Sequence, residues 1–228
     1  RNYDKYTQES YNQMHLIFTQ NEWTKQSIIR RFGLQKDKVH NVRFGINIEP
    51  YYGKKDYNNE LLLIVLREFN HKTKGLDIII QALPIIQQKF PNVKLAVVGN
   101  KIYEHIENVT CYVGYPREKT QELFRQATLY VMPSRNEPNG ITYLEALANK
   151  TPFVALNRYA APPFAGYGEW SFLCDQESPE AISNIICEAL ADKQRLATMG
   201  EKGQQFVLEN YKWEKTVDTM INLMKKYE

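Results

Sequence analysis

Short apolar runs alternate with amphipathic segments along most of the chain from Glu60 onward. Each run is almost entirely apolar, which is typical of strands that are covered on both faces. The segments between the runs have helical apolar spacing, and strands that alternate with helices in this way form a parallel, doubly wound sheet. We therefore predict an α/β fold with strands at Leu61–Leu66, Val93–Val98, Val109–Val113, Leu129–Met132, Phe153–Leu156 and Ser171–Cys174.

The first sixty residues have a different pattern. They predict a strand at His15–Thr19, a helix from about Asn21 to Phe32 and a short strand near Val39–Phe44. One strand–helix unit and one short strand cannot bury their own apolar faces. Residues 47–59 are polar and rich in tyrosine, which is typical of a linker.

We therefore expect three parts in the chain. Residues 1–48 are the remnant of another domain, residues 49–59 are a linker, and residues 60–228 are one further domain. The helices predicted for this last domain are Leu76–Lys89, Glu118–Gln126, Pro179–Ala191, Lys193–Glu209 and Trp213–Lys226.

The composition excludes several classes of protein. With 43% hydrophobic residues and a net charge of +3, the chain is an ordinary globular protein and shows no sign of a nucleic-acid partner. Its longest apolar run, Leu61–Leu66, is far shorter than the ~20 residues that cross a bilayer. Three cysteines without a C-x-x-C spacing argue against disulfides and a zinc site, and favour a reducing compartment.

The segment Leu129–Ala148, LYVMPSRNEPNGITYLEALA, contains the most informative loop. A buried strand is followed by a polar loop, and Gly140 begins a helix. Ligands of doubly wound sheets bind beyond the carboxyl ends of the strands, and the free N–H groups and dipole of a helix N-terminus attract anions. We therefore predict an anion site at Gly140 that uses the backbone N–H groups of Ile141 and Thr142 and the Thr142 hydroxyl.

Two carboxylates flank this predicted anion site. Glu145 lies in the helix, where it could accept two hydrogen bonds from vicinal hydroxyls such as a ribose diol. Glu137 lies in the loop on the other side, where a sugar attached to a phosphate would lie. The alternative is that both are solvated surface carboxylates, because two Glu residues at this spacing are expected by chance in a chain of this size.

A basic loop follows the first long strand. Arg67 can hold two oxygens of a diphosphate and Lys74 can act as a point charge, although both could also belong to a solvated loop. Gly99 and Tyr115, each at a strand end, are weaker candidates for contact with a nucleotide base. The sequence contains no G-x-G-x-x-G, Walker A or hydrolase pattern, which argues against dinucleotide-binding dehydrogenases, P-loop proteins and hydrolases.

The order of these motifs resembles glycosyltransferase family 4. An Arg…Lys-Gly loop is followed by a Val-Gly turn, then by Pro-Ser-x-x-Glu-x-x-Gly at Pro133–Gly140 and by Glu-Ala-Leu-Ala at residues 145–148. The resemblance covers about residues 60–215, and Glu137 and Glu145 coincide with the family's E-x7-E motif. It implies the GT-B architecture, with residues 60–228 as the Rossmann-like, C-terminal donor-binding domain and residues 1–48 from the N-terminal, acceptor-side domain.

The resemblance also implies a reaction. A sugar would be transferred from a UDP- or GDP-sugar to a glycan, lipid-linked or other acceptor, with retention of configuration and without a metal or other cofactor. The reaction would take place in the cytoplasm, at the inner face of the membrane, and this chain alone would be inactive. The implied catalytic residues are Glu137, Arg67 and Lys74, and the implied substrate-binding residues are Glu145, Asn139, Gly140, Ile141, Thr142, Tyr115 and Gly99.

Three positions depart from the family's pattern. Leu66 stands where Gly is preferred, Asn139 replaces an aromatic residue and Lys150 replaces a Gly. The first two adjoin donor contacts, so the choice of donor and the pose of its sugar stay open. Two other functions stay open as well. One is a non-catalytic nucleotide-sugar-binding module or partner subunit, and the other is a nucleotide-sugar epimerase, which is disfavoured because no further carboxylate or histidine cluster accompanies Glu137.

Overall fold

The computed structural model describes residues 2–66, 71–100 and 106–227 and confirms the predicted α/β fold. The strands are β1 (Ile17–Thr19), β2 (Val39–Asn41), β3 (Leu61–Val65), β4 (Lys94–Gly99), β5 (Val109–Val113), β6 (Leu129–Val131), β7 (Phe153–Leu156) and β8 (Phe172–Cys174). The helices are α1 (Asn2–Gln13), α2 (Glu22–Phe32), α3 (Leu76–Gln87), α4 (Arg117–Gln126), α5 (Ile141–Ala148), α6 (Ala161–Phe164), α7 (Pro179–Ala191), α8 (Lys193–Asn210) and α9 (Trp213–Met224).

The main sheet has the strand order β5-β4-β3-β6-β7-β8, and all of these pairs are parallel. Helices cover both faces, so Leu62, Leu63 and Ile64 of β3 are completely buried. The chain adds strands to one side of β3 and then returns to add β6, β7 and β8 on the other side. The carboxyl ends of β3 and β6 therefore form the topological switch point, where doubly wound sheets bind ligands.

The strand β5 lies at the edge of this sheet. Its residues are partly or fully exposed, and Val113 is 46% exposed. The prediction that all of the apolar runs are covered on both faces is therefore wrong for Val109–Val113. Edge strands pair on one side only, so an apolar composition does not guarantee that they are buried.

The chain forms two compact units, Arg1–Asn47 with Leu208–Glu228, and Ile48–Val207. In the first unit, β1 and β2 form a parallel pair. Tyr11 of α1 packs its ring at 5.2 Å from that of Phe32. The buried cluster of this unit contains Ile17, Ile29, Phe32, Leu34 and Val39. The prediction that this region cannot bury its own apolar residues is thus wrong, and it overlooked α1.

Residues 208–228 group with the first 47 residues, whereas the sequence analysis assigns them to residues 60–228. The functional domain boundaries stay a prediction. Among the helices within the described ranges, none combines the length and apolar composition needed to cross a bilayer.

The tyrosine-rich segment before β3 has no helix or strand, yet it is fixed to the larger unit. Lys55 is buried, and its ammonium donates to the carbonyls of Phe124 and Arg125 (both 2.9 Å) and to the hydroxyl of Thr151 (2.8 Å). Tyr57 is also buried and donates to the carbonyl of Lys150 at 2.7 Å. Residues 49–59, whose polar sequence predicts a linker, are therefore held by buried hydrogen bonds.

Lys150 occupies a backbone conformation that favours glycine, with φ of 55°. This agrees with the glycine that the family prefers at this position. Its ammonium binds Glu201 at 2.9 Å and the carbonyl of Gly53 at 3.2 Å. These contacts stabilise a lysine at a position where its backbone conformation costs about 1 kcal/mol or more.

Lys55 makes the stability of the fold depend on pH. Burial lowers the pKa of Lys55 to about 7, whereas the pKa of an unfolded lysine is about 10.4. Between these values the unfolded chain binds more protons, so this residue makes the free energy of unfolding rise with pH, by at most about 1.4 kcal/mol per pH unit. We expect Lys55→Met to remove that rise in urea unfolding at about pH 7 to 10, whereas Lys54→Met, at the exposed neighbouring position, retains it. Parallel pH profiles for the unaltered chain and Lys55→Met would show that Lys55 keeps an ordinary pKa.

Candidate functional site

A cavity of about 160 Å³ lies at the switch point between β3 and β6. Val65, the last residue of β3, and Met132, which follows β6, form its apolar wall. The remaining lining residues are Lys74, Glu137, Asn139, Ile141 and Thr142. The structure thus brings together five of the residues that the sequence analysis selected.

The Glu137 carboxylate lies between Lys74 and the start of α5. One oxygen, Oε2, accepts a hydrogen bond from the Lys74 ammonium at 2.7 Å. The other, Oε1, accepts from the backbone N–H groups of Gly140 at 2.8 Å and Asn139 at 3.2 Å. The side chains of Lys74 and Glu137 are only 18% and 12% exposed. The Glu137 carboxylate therefore neutralises part of the positive charge of Lys74 and of the helix N-terminus, which the sequence predicts to bind a ligand.

The next two N–H groups of α5 belong to residues that line the cavity. Ile141 and Thr142 line it, and within the described ranges no acceptor is found for either backbone N–H. The first N–H groups of a helix have no intrahelical partner, and the helix dipole adds partial positive charge beside them. Together with the Lys74 ammonium, they form a concave group of hydrogen-bond donors suited to an anion.

Glycine is required at the start of two helices, after the loop that carries Lys74 and after the loop that carries Glu137. These two loops are called the site loops below. Gly75 precedes α3 with φ of 79°, and a Cβ there would lie 2.3 Å from the carbonyl oxygen of Pro133. Gly140 precedes α5 with φ of 65°, and a Cβ there would lie 2.7 Å from the Phe164 ring. Both positions are left-handed and tightly packed, so only glycine fits without rearrangement.

Buried aromatic residues fix the junction between β6 and α5. Tyr130 is completely buried and donates to the Thr142 hydroxyl at 2.9 Å, while Tyr143 donates to the carbonyl of Met132 at 2.8 Å. Burial raises the pKa of Tyr130 well above its ordinary value, so its hydroxyl stays protonated and donates. The hydroxyl of Thr142 is thereby held at the cavity wall.

Glu145 lies one turn further along α5, and its side chain is only 4% exposed. Arg117, at the first position of α4, approaches the Glu145 carboxylate with Nη2 at 3.4 Å from Oε1. Arg117 is half-exposed and was not selected from the sequence. Its position just after the strand-end turn at Gly114 could have indicated it, because such turns lie at the ligand-binding edge of the sheet.

Gly99 and Tyr115 are absent from the described lining of the cavity. Arg67 falls outside the described residues. Gly99 ends β4, and the Tyr115 ring packs against Tyr112 with centroids 4.7 Å apart. The roles assigned to Arg67, Gly99 and Tyr115 stay predictions.

Within residues 2–66, 71–100 and 106–227, no three His, Cys, Asp or Glu side chains lie close enough together to hold a metal ion. The expectation of a reaction without a metal or other cofactor stays a prediction.

Comparison with known proteins gives consistent matches. The family model described as "Glycosyl transferases group 1" matches residues 53–206. A GDP-mannose-dependent alpha-(1-6)-phosphatidylinositol monomannoside mannosyltransferase of Mycolicibacterium smegmatis is 32% identical over 158 residues, which are 61% of this chain and 41% of that protein. An N-acetyl-alpha-D-glucosaminyl L-malate synthase of Bacillus anthracis is 26% identical over 177 residues, which are 72% of this chain and 46% of that protein.

Two solved structures share the fold. S. aureus TarM, in complex with Fondaparinux, alpha-GlcNAc-glycerol and UDP, has a TM-score of 0.83 and 19% identity, with 98% of this chain and 46% of that chain covered. Anabaena HepE, in complex with UDP and glucose, has a TM-score of 0.78 and 18% identity, with 92% of this chain and 63% of that chain covered. The chain thus spans less than half the length of the first relatives it matches.

Proposed function

Because the chain belongs to the group 1 family of glycosyltransferases, we propose that its cavity binds the diphosphate of a nucleotide-sugar donor. The observation that carries this proposal is the position of the Lys74 ammonium beside the open N–H groups of Ile141 and Thr142. An ammonium has three N–H donors, and the described structure uses one of them on Glu137, so the others can reach phosphate oxygens. The buried Glu145 carboxylate, on the same helix, is suited to the ribose hydroxyls.

The proposed reaction is transfer of the donor sugar with retention of configuration. The bond between the sugar C1 and the diphosphate oxygen breaks, and its electron pair stays on the diphosphate. The acceptor hydroxyl oxygen bonds to C1, and its proton passes to the departing diphosphate. Lys74 and the N–H groups of α5, with Arg67, would stabilise the negative charge that builds on the leaving group. Glu137 would contact a hydroxyl of the sugar.

The names of similar proteins support the classes of donor and acceptor. One relative is named as dependent on GDP-mannose and acts on a phosphatidylinositol mannoside, and one structure was solved with UDP and glucose. We therefore propose a UDP- or GDP-sugar as donor and a glycan, lipid-linked or other hydroxyl as acceptor. We place the reaction in the cytoplasm, at the inner face of the membrane.

Calorimetry with UDP, GDP and ADP tests the proposal. We expect at least one of the three nucleotides to bind the chain with a Kd on the order of 10 μM to 1 mM, because one wall of a donor cleft makes only part of the contacts. Inorganic sulfate at the same ionic strength serves as the control for nonspecific anion binding. If none of the nucleotides binds, or if sulfate displaces them at equal concentration, the proposal is wrong.

We expect Glu145→Gln to remove discrimination between ribose and deoxyribose. The carboxylate can accept hydrogen bonds from both ribose hydroxyls, and such charged hydrogen bonds contribute about 1.5–3 kcal/mol. The unaltered chain should therefore bind UDP about tenfold or more better than 2′-deoxy-UDP, and the variant should bind the two with similar affinity. If GDP or ADP binds more tightly than UDP, the comparison is made between that nucleotide and its own 2′-deoxy form.

Glu188→Gln provides the control for Glu145→Gln, because the Glu188 side chain is 59% exposed and pairs with the surface residue Arg195. That variant should keep the ribose preference. A preference that survives Glu145→Gln unchanged would show that Glu145 does not bind the ribose.

A further inference from the structure

Arg135, in the loop after β6, joins three segments of the larger unit. Its guanidinium donates two hydrogen bonds to the Asp77 carboxylate, at 2.8 and 3.0 Å, in the first turn of α3. Its Nε donates to Glu177 Oε1 at 2.5 Å, in the turn before α7. The Glu177 carboxylate also accepts a hydrogen bond from Arg158. The Arg135 side chain is 32% exposed, so this pairing is partly shielded from solvent.

The same residue holds the loop that carries Lys74. The Arg135 guanidinium donates to the carbonyl of Lys72, and the Arg135 backbone N–H donates to the carbonyl of Thr73 at 2.7 Å. The hydroxyl of Ser134 donates to the same Thr73 carbonyl at 3.0 Å. The two residues before Lys74 are therefore bound to the loop that also carries Glu137.

The Arg135 side chain binds this loop on both sides of Lys74. It binds the Lys72 carbonyl before Lys74 and the Asp77 carboxylate after it. An arginine can do this because its planar guanidinium presents five donors in a fixed arrangement, whereas a lysine offers a single point charge. With both flanks held, the backbone of Lys74 is fixed at the place from which its ammonium reaches Glu137.

We propose that Arg135 is a positioning residue for donor binding, which acts by holding the 71–77 segment so that Lys74 faces the cavity. This inference rests on the proposed function, because it assigns Lys74 to the donor diphosphate. Arg135 itself is absent from the described lining of the cavity, so its effect on binding would pass through Lys74. The proposal thus assigns donor affinity in part to a position between Pro133-Ser134 and Glu137 of the motif.

A double-mutant cycle on nucleotide binding tests this proposal. We expect Arg135→Ala to raise the Kd of the preferred nucleotide among UDP, GDP and ADP by about tenfold, and Arg135→Lys to raise it less. In a Lys74→Ala background, Arg135→Ala should change the Kd by less than about twofold, because the group that it positions is gone. Equal effects of Arg135→Ala in both backgrounds would contradict a role through Lys74.

Arg158→Ala is the matched control. Arg158 carries the same charge and binds the same Glu177, but no contact with the 71–77 segment is found for it within the described residues. That variant should bind the nucleotide nearly as well as the unaltered chain. A loss of affinity as large as that of Arg135→Ala would indicate a general effect of the charge cluster and would contradict the proposal.

Hydrogen exchange tests the positioning without a ligand, and so separates this inference from the proposed function. The N–H groups of Gly75 and Leu76 donate to the carbonyls of Lys72 and His71. We expect Arg135→Ala to speed their exchange by about tenfold or more, and Arg158→Ala to leave it unchanged. Unchanged exchange in Arg135→Ala overturns the inference. Faster exchange with unaltered nucleotide affinity would also overturn it, because the loosened segment would then not matter for binding. The assignment of Lys74 to the diphosphate, and with it the proposed function, is decided separately by the affinity of Lys74→Ala.

Discussion

Gly75→Ala is expected to destabilise the larger unit by about 2–5 kcal/mol and to abolish measurable nucleotide binding. A left-handed backbone costs a residue with a Cβ about 1–2 kcal/mol, and an overpacked contact adds about 1–3 kcal/mol. The new Cβ would lie 2.3 Å from the carbonyl oxygen of Pro133, and a backbone atom cannot turn away as a side chain can. Relief of the contact requires the loops of Lys74 and Glu137 to separate.

Gly114→Ala provides the control for this prediction. Gly114 has φ of 61° and nothing within 4 Å of a Cβ built on it, so alanine there costs only the backbone conformation. Urea unfolding should therefore show a loss of about 1–2 kcal/mol for Gly114→Ala and roughly twice that for Gly75→Ala. Similar losses for both variants would show that the two site loops can separate without cost.

Lys74→Ala is expected to weaken nucleotide diphosphate binding on the order of 10- to 100-fold, which corresponds to the loss of one charge-assisted interaction. The substitution also leaves the Glu137 carboxylate, which is 12% exposed, beside the diphosphate without its cation. The repulsion between these two anions adds to the loss. Calorimetry with the preferred nucleotide measures the change in Kd, and Lys72→Ala, at an exposed lysine of the same loop, controls for net charge.

The double substitution Lys74→Ala with Glu137→Gln separates the two contributions. If repulsion by Glu137 contributes, the double variant should bind the nucleotide better than Lys74→Ala alone. If Lys74→Ala binds as well as Lys72→Ala, the ammonium does not hold the diphosphate, and the assignment of this residue is wrong.

The sheet could be predicted from the sequence because its central strands are buried on both faces and therefore almost wholly apolar. The predicted bounds of Val109–Val113 and Phe153–Leu156 agree with β5 and β7, and Pro179–Ala191 agrees with α7. The helix α1 was overlooked because its residues, NYDKYTQESYNQ, show no clear apolar period. Its Tyr11 is ordered by contact with Phe32, which lies 21 residues away and cannot be recognised from local spacing.

The candidate site was predicted in part for a similar reason. Strand ends and a glycine before a helix are local signals, and they selected Glu137 and Thr142, which the structure places in the lining of one cavity. The contacts of Arg135 with Asp77 and of Arg117 with Glu145 join residues 58 and 28 positions apart. Such pairs depend on how the strands are ordered, so the sequence pattern alone did not select either arginine.

The claim that the cavity at the β3–β6 switch point binds a diphosphate is tested most directly by the amide chemical shifts of the chain during titration with UDP, GDP and ADP. We expect the largest changes at the N–H groups of Ile141 and Thr142 and in the segment around Lys74, and we expect them to be lost in Lys74→Ala. Shift changes that are confined to other parts of the chain, or that are absent for all three nucleotides, would contradict it.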